Sequence, residues 1–170
     1  TVGMRGNPPN GGVGAFVNVA KASRVDLCVD LLISDEMWRF GLFDHLVTWA
    51  ADNAIHFKHR KLTGVQIGKG AILARIYDKP REIVSRSQKS WMYDIWNIHY
   101  VPDGSKIVRF EFQLRREVLK DLAVNTVWDF LSHPRGLWAY CVHKWLRFVD
   151  DPSVETRFQN TLPFWNVVQE

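Results

Sequence analysis

Cysteine is scarce in this sequence. Its 170 residues hold two, Cys28 and Cys141, far apart and without the paired spacing of a zinc site or redox motif. That excludes a disulfide-stapled secreted scaffold and fits a reducing cytoplasm, where unpaired thiols act as small apolar fillers. A bridge between the two is the less favoured alternative. Long hydrophobic runs are missing too; the apolar stretches are short and broken by charge, so no membrane partner is expected. No charged-then-apolar leader follows Thr1, and Thr1 stands where a translated chain carries Met. The sequence is therefore expected to be a piece of a longer chain without a signal peptide. Nor does one sign of charge dominate: 22 basic against 18 acidic residues give +4. This permits a nucleic-acid partner without requiring one.

Hydrophobic residues are plentiful at 46%, which excludes a disordered chain and allows one sizeable core. The eight tryptophans are expected mostly in that core, with one or two free to stack on unpaired bases. Residues 1–22, rich at first in Gly, Pro and Asn, read as a flexible lead-in. Residues 23–150 carry the ordered pattern, and 151–170, with Pro152 and Pro163, read as a tail wrapping the surface.

Within 23–150, Val25, Leu27, Val29 and Leu31 alternate with Asp26, Cys28 and Asp30, the period of a half-buried strand. Ser34 offers an N-cap for a helix running through Trp49 to Asn53. Residues 54–79 read as two or three antiparallel strands with turns at Gly64, Gly68 and Gly70. Residues 81–97 look helical or irregular, and Lys106–Arg115 is another alternating strand. Short helices then run to residue 149, broken near Asn125 and at His133–Gly136. The expected class is α+β: one mostly antiparallel sheet, helices on its apolar face, and the site on its polar face.

That polar face holds the chemistry. The first strand offers Asp26 and Asp30; a second offers Arg75, Tyr77 and Lys79 opposite Ile76; a third offers Arg109, Glu111, Gln113 and Arg115 opposite Phe110, Phe112 and Leu114. For any one strand an ordinary solvated face is the competing reading. Together they supply carboxylates for a hard cation, arginines for a phosphoryl group and a phenol to attack it. The expected ligands of Mg²⁺ or Mn²⁺ are Asp26, Asp30 and Glu111, and nearby cations would favour the phenolate, whose ordinary pKa is near ~10.

These segments resemble the replication initiation factor family, which includes rolling-circle plasmid and phage replication initiators and conjugative-element relaxases. The resemblance rests on GKGAILARIYDKPREI, with Gly68, Arg75, Tyr77, Asp78, Lys79 and Glu82; on SRVDLCVD, with Arg24, Asp26 and Asp30; on RFEFQLRREVL, with Arg109, Glu111 and Arg115; and on LWAYCVHKWLRF. It implies that one DNA strand is nicked at an origin, leaving a 5′-phosphotyrosine and a free 3′-hydroxyl, with divalent-metal assistance. Tyr77 would be the nucleophile, aided by Arg75, Lys79 and Arg109. Single-stranded or hairpin origin DNA, a helicase and a second copy in a homodimer are the implied partners.

Other residues are read more plainly. The two-histidine motif of other rolling-circle nucleases is absent; His56 and His59 lie three apart, so a strand would point them to opposite faces. Lys58, Arg60 and Lys61 are either a solvated turn or, with Arg115, contacts to phosphate backbone. Trp91, Tyr93 and Trp96 are either sheet-edge packing or stacking platforms. Two alternatives stay open: a DNA-binding module of this fold without catalysis, and a metal nuclease that uses water.

Overall fold

The computed structural model describes residues 18–98 and 100–170, so most of the expected lead-in, and His99, lie outside the described residues. Its strands are β1 (Arg24–Ser34), β2 (Leu46–Thr48), β3 (Asn53–Lys58), β4 (Lys61–Ile67), β5 (Ile72–Asp78), β6 (Ser105–Arg115) and β7 (Leu146–Phe148). Five of them form one sheet in the order β1-β6-β5-β4-β3, and β2 and β7 form a separate ribbon. Every pairing is antiparallel. The fold is α+β, as the alternating pattern predicts.

Alternation decides which face is covered. Ala74 and Ile76 of β5 and Val108, Phe110, Phe112 and Leu114 of β6 are all buried on one face. Against them pack Trp138 and Trp145 from the helical run after residue 133, and Phe164 and Trp165 from the Pro163–Gln169 helix. The last helix is more than a surface wrapping: Trp165 is fully buried and its indole N–H donates to the Val142 carbonyl at 3.0 Å. At the other end, residues 18–22 of the expected lead-in are held in place, with Ala22 buried and bonded to the Asn125 carbonyl.

The long helix expected from Ser34 to Asn53 is not formed. Ser34 does act as a cap, its hydroxyl accepting from the Met37 N–H, but it caps only a turn. A short 3-10 helix, Phe40–His45, follows, and Leu46–Thr48 then pairs with Leu146–Phe148. The partner strand, about a hundred residues later, supplies what local periodicity cannot signal. The same pairing turns Leu146–Phe148 into a strand where a helix was expected. Gly64, expected at a turn, lies inside β4; the tight turn is His59–Arg60, both with positive φ, as a two-residue hairpin requires. Gly68 and Gly70 do turn the chain with positive φ, and a Cβ at Gly68 would stand 2.8 Å from the Ile72 carbonyl. Both cysteines are free thiols. Among the described residues no helix is long and apolar enough to cross a membrane.

Candidate active site

Register brings the polar residues into rows across the sheet. One row reads Asp30, Arg109, Tyr77, Gly64, His56 from β1 to β3; the next reads Cys28, Glu111, Arg75, Gln66, Ala54. The Asp30–Arg109 corner of this face is not a solvated one. The connection between β5 and β6 folds over it, and the Asp30 and Arg109 side chains are each only 14% exposed. Burying unpaired charge is costly, so each ionic group must find a partner.

At the centre, the Tyr77 hydroxyl donates to Glu111 Oε2 at 3.0 Å, while Arg75 donates to Glu111 Oε1 at 3.0 Å. Arg75 also reaches the buried Gln113 at 3.4 Å. Arg109 grips Asp30 with two bonds of 2.7 Å, and the Trp96 indole N–H donates to the same carboxylate at 3.0 Å. Removing one partner of the Arg109–Asp30 pair costs about 3–5 kcal/mol, because the other charge is left buried alone. Trp96, expected as a stacking platform, is thus anchored to Asp30, and its ring stands edge-on to Tyr93 at 5.4 Å.

Burial, then the Glu111 charge and hydrogen bond, push the Tyr77 phenol well above its ordinary range; Arg109 pulls the other way without prevailing. The cations therefore do not hold a resident phenolate, contrary to the expectation from charge proximity. Instead the phenol is protonated with a carboxylate placed to accept that proton. Hydrogen bonding to Asp30 raises the Arg109 guanidinium against the burial that would lower it.

The wall beyond Tyr77 is set by the chain that follows. Asp78 caps the Lys79–Glu82 helix by accepting from the Arg81 N–H at 2.9 Å, with Pro80 fitting the first turn. The helix then widens into a π turn, Ile83–Ser87, which brings Ser87 back over Glu82. Glu82 accepts from Lys79 at 2.5 Å and from Ser87 at 3.1 Å. Burial works to raise its pKa, but these bonds and the Lys79 charge leave it lowered. Lys79, expected beside the phosphate, is buried in this wall, its ammonium 5.6 Å from the centre of the Tyr77 ring. There it links the Glu82 wall to the Tyr77 ring.

A cleft of about 550 Å³ opens on Tyr77 and Glu111, lined also by His56, Lys58, Arg81 and Arg86. Gly64 makes room for it: a Cβ there would lie 2.9 Å from Tyr77 Cβ. His56, Arg81 and Arg86 were not singled out as site residues from sequence. His56 lies in β3 and lines the cleft, whereas His59 lies in the β3–β4 turn, so the expected strand with the two on opposite faces does not extend to His59. Of the residues expected to touch DNA, Lys58 lines the cleft, and Arg60 in the adjoining turn and Lys61 at the start of β4 stand exposed. Trp91 is exposed, and Arg115 lies at the far end of β6 opposite Arg24.

The three expected metal ligands do not converge. Asp26 is taken by Arg24, Asp30 by Arg109 and Glu111 by Arg75 and Tyr77. Among the described residues no three His, Cys, Asp or Glu side chains are grouped to hold a metal ion. As arranged, these residues do not fit the divalent ion that the resemblance implies, because arginines already balance every carboxylate.

No family model and no curated protein matches the chain. A solved structure does: the rolling circle replication initiator protein from Geobacillus stearothermophilus, with a TM-score of 0.50 over 86% of this chain at 14% sequence identity. The chain spans about half that protein's length, 54%. At this identity the likeness is one of fold: this α+β sheet is similar to one that a rolling-circle replication initiator uses.

Proposed function

We propose that the chain is the catalytic part of a rolling-circle replication initiator or relaxase, an endonuclease that nicks and rejoins one DNA strand through Tyr77. The observation that carries this reading is the Tyr77–Glu111 hydrogen bond at the mouth of a cation-lined cleft. Tyr77 Oη attacks the scissile phosphorus and its proton passes to Glu111. The bond to the 3′-oxygen breaks, that oxygen takes a proton from solvent, and a 5′-phosphotyrosine remains. Arg75 and Arg109 balance charge on the phosphoryl oxygens. Lys79 fixes the ring through the Glu82 wall. Origin DNA in single-stranded or hairpin form, a helicase and a second copy of the chain are the partners this reading requires. The likeness in fold supports it independently of the site.

Labelled single-stranded origin DNA, incubated with Mn²⁺ in one arm and chelator in the other, tests both nucleophile and metal. Wild-type protein should give a covalent adduct that Tyr77→Phe abolishes while DNA affinity stays nearly unchanged. Adduct in both arms shows that the arginines suffice; adduct with Mn²⁺ alone shows that an ion opens one of the arginine–carboxylate pairs. Free cut products without adduct would mean attack by water, and a shifted band alone a non-catalytic DNA-binding module. An adduct surviving in Tyr77→Phe would move the nucleophile to another tyrosine, such as Tyr93 or Tyr100.

A further inference from the structure

The cleft at Tyr77 does not end at its own rim. A second cleft, of about 480 Å³, adjoins it and shares Lys58, Asp78, Arg81 and Ser85 in its walls. Together they make a groove that starts at Tyr77, passes the Lys79–Ser87 turn and ends at Tyr93 and Lys106. Its carboxylates are already engaged: Asp78 caps the Arg81 N–H, Glu82 holds Lys79 and Glu111 holds Arg75. Three of its cations are not, although Arg75 is paired with Glu111 and Lys106 with Asp35. Among the described residues, no carboxylate forms an ion pair with Lys58, Arg81 or Arg86. A groove with unspent cations along it and a half-buried aromatic at its end has the chemistry of a single-strand track, in which cations follow the backbone and aromatics stack bases.

We propose that this groove carries the single strand that flanks the scissile phosphate, with Arg81, Arg86 and Lys58 holding backbone phosphates and Tyr93 stacking a base. The inference rests on Tyr77 marking the scissile position and adds the path and its ligands. It also gives the π turn a role. By bringing Ser87 back over Glu82, the turn fixes the segment that carries Arg81 and Arg86 on the groove side.

The test is binding of fluorescein-labelled oligothymidylate by anisotropy over a range of salt. For single strands the slope of log K against log salt is about −0.7 per neutralised phosphate, so Arg81→Ala with Arg86→Ala should flatten it by about 1.4. Tyr93→Ala should weaken binding about 5- to 150-fold with the slope unchanged, as loss of stacking does. Tyr93→Leu, which keeps apolar volume beside Trp96, should show the same loss if Tyr93→Ala proves unstable. Lys120→Ala removes an exposed cation of the Arg116–Asp121 helix, which does not line the groove, and should match wild type. Wild-type affinity and slope in the double arginine variant, or an equal loss in Lys120→Ala, would overturn the track. The adduct assay reads the nicking separately. Adduct with no effect of the groove variants sinks the track alone; groove-dependent binding without adduct sinks the nucleophile and keeps the track.

Discussion

Replacing Glu111 by Gln isolates the proton transfer, because it keeps the side chain's volume and an acceptor for the Tyr77 hydroxyl while removing its basicity. A positioned general base contributes roughly 10²–10⁴ in rate, so the neutral-pH rate of adduct formation should fall by that factor. The lost ion pair with Arg75 matters far less. The Arg75 side chain is 35% exposed, and a pair this open to solvent is worth about 1 kcal/mol or less. Freed from Glu111, Arg75 remains available to phosphate, so DNA affinity should hold. The pH profile should change in kind. Glu111 helps to raise the Tyr77 phenol, so its removal lets the phenol ionise at lower pH than in wild type. Adduct formation by the variant should therefore climb with pH, while wild type, which passes its proton to Glu111, stays flat over the same span. Stability follows from the same shift: a raised phenol contributes fully below its ordinary value and loses that contribution as pH rises to its folded value, so Glu111→Gln, with a less raised phenol, should lose less stability than wild type in alkali. Single-turnover adduct formation on a labelled single strand, read on denaturing gels across neutral and alkaline pH, measures this. A neutral rate within a few-fold of wild type, or a profile parallel to it, would refute Glu111 as the base.

Gly64→Ala should destabilise by about 1–3 kcal/mol in urea unfolding and slow adduct formation as well, because its Cβ meets Tyr77 Cβ at 2.9 Å and the Ile76 carbonyl at 3.0 Å; an unchanged midpoint would show that the strands part freely. Trp165→Ala, at a site with no exposure, should cost about 3–5 kcal/mol by the same measurement. A thiol reagent applied to the native protein should label Cys28 alone, as found by peptide mapping. Cys141 is fully buried, and burial pushes its thiol up to about 12. Early labelling of Cys141 would show that the helical layer opens readily.

The sheet was legible where local period and chemistry coincide. Alternation in β1, β5 and β6 put Asp30, Arg109, Tyr77, Arg75 and Glu111 on one face before any register was known. Which carboxylate each arginine takes was not legible, because that depends on pairing between strands up to 79 residues apart, as for Asp30 and Arg109. A metal trio and a set of arginine pairs use the same residue types, and only register separates them. The β2–β7 ribbon escaped for a related reason: three residues are too few to show a period. Trp165 was lost to its neighbour Pro163, which suggested an irregular tail when proline also suits the first turn of a helix.

The two kinds of connection around Tyr77 bear differently on how such a chain can vary through evolution. The β3–β4 and β4–β5 links are tight turns, and a single inserted residue within the strands would rotate Tyr77 toward the helices and Ile76 toward the cleft. The link from β5 to β6, residues 79–104, is not held by strand register; it is long, built of short helical turns and irregular stretches, and it supplies Arg81, Arg86, Tyr93 and Trp96. Length and sequence can vary there, provided Lys79, Glu82 and Trp96 keep their contacts, while Tyr77 keeps its place in β5. On the proposed function, exchanging that segment between related chains is a route by which the same sheet could be redirected to a different stretch of DNA.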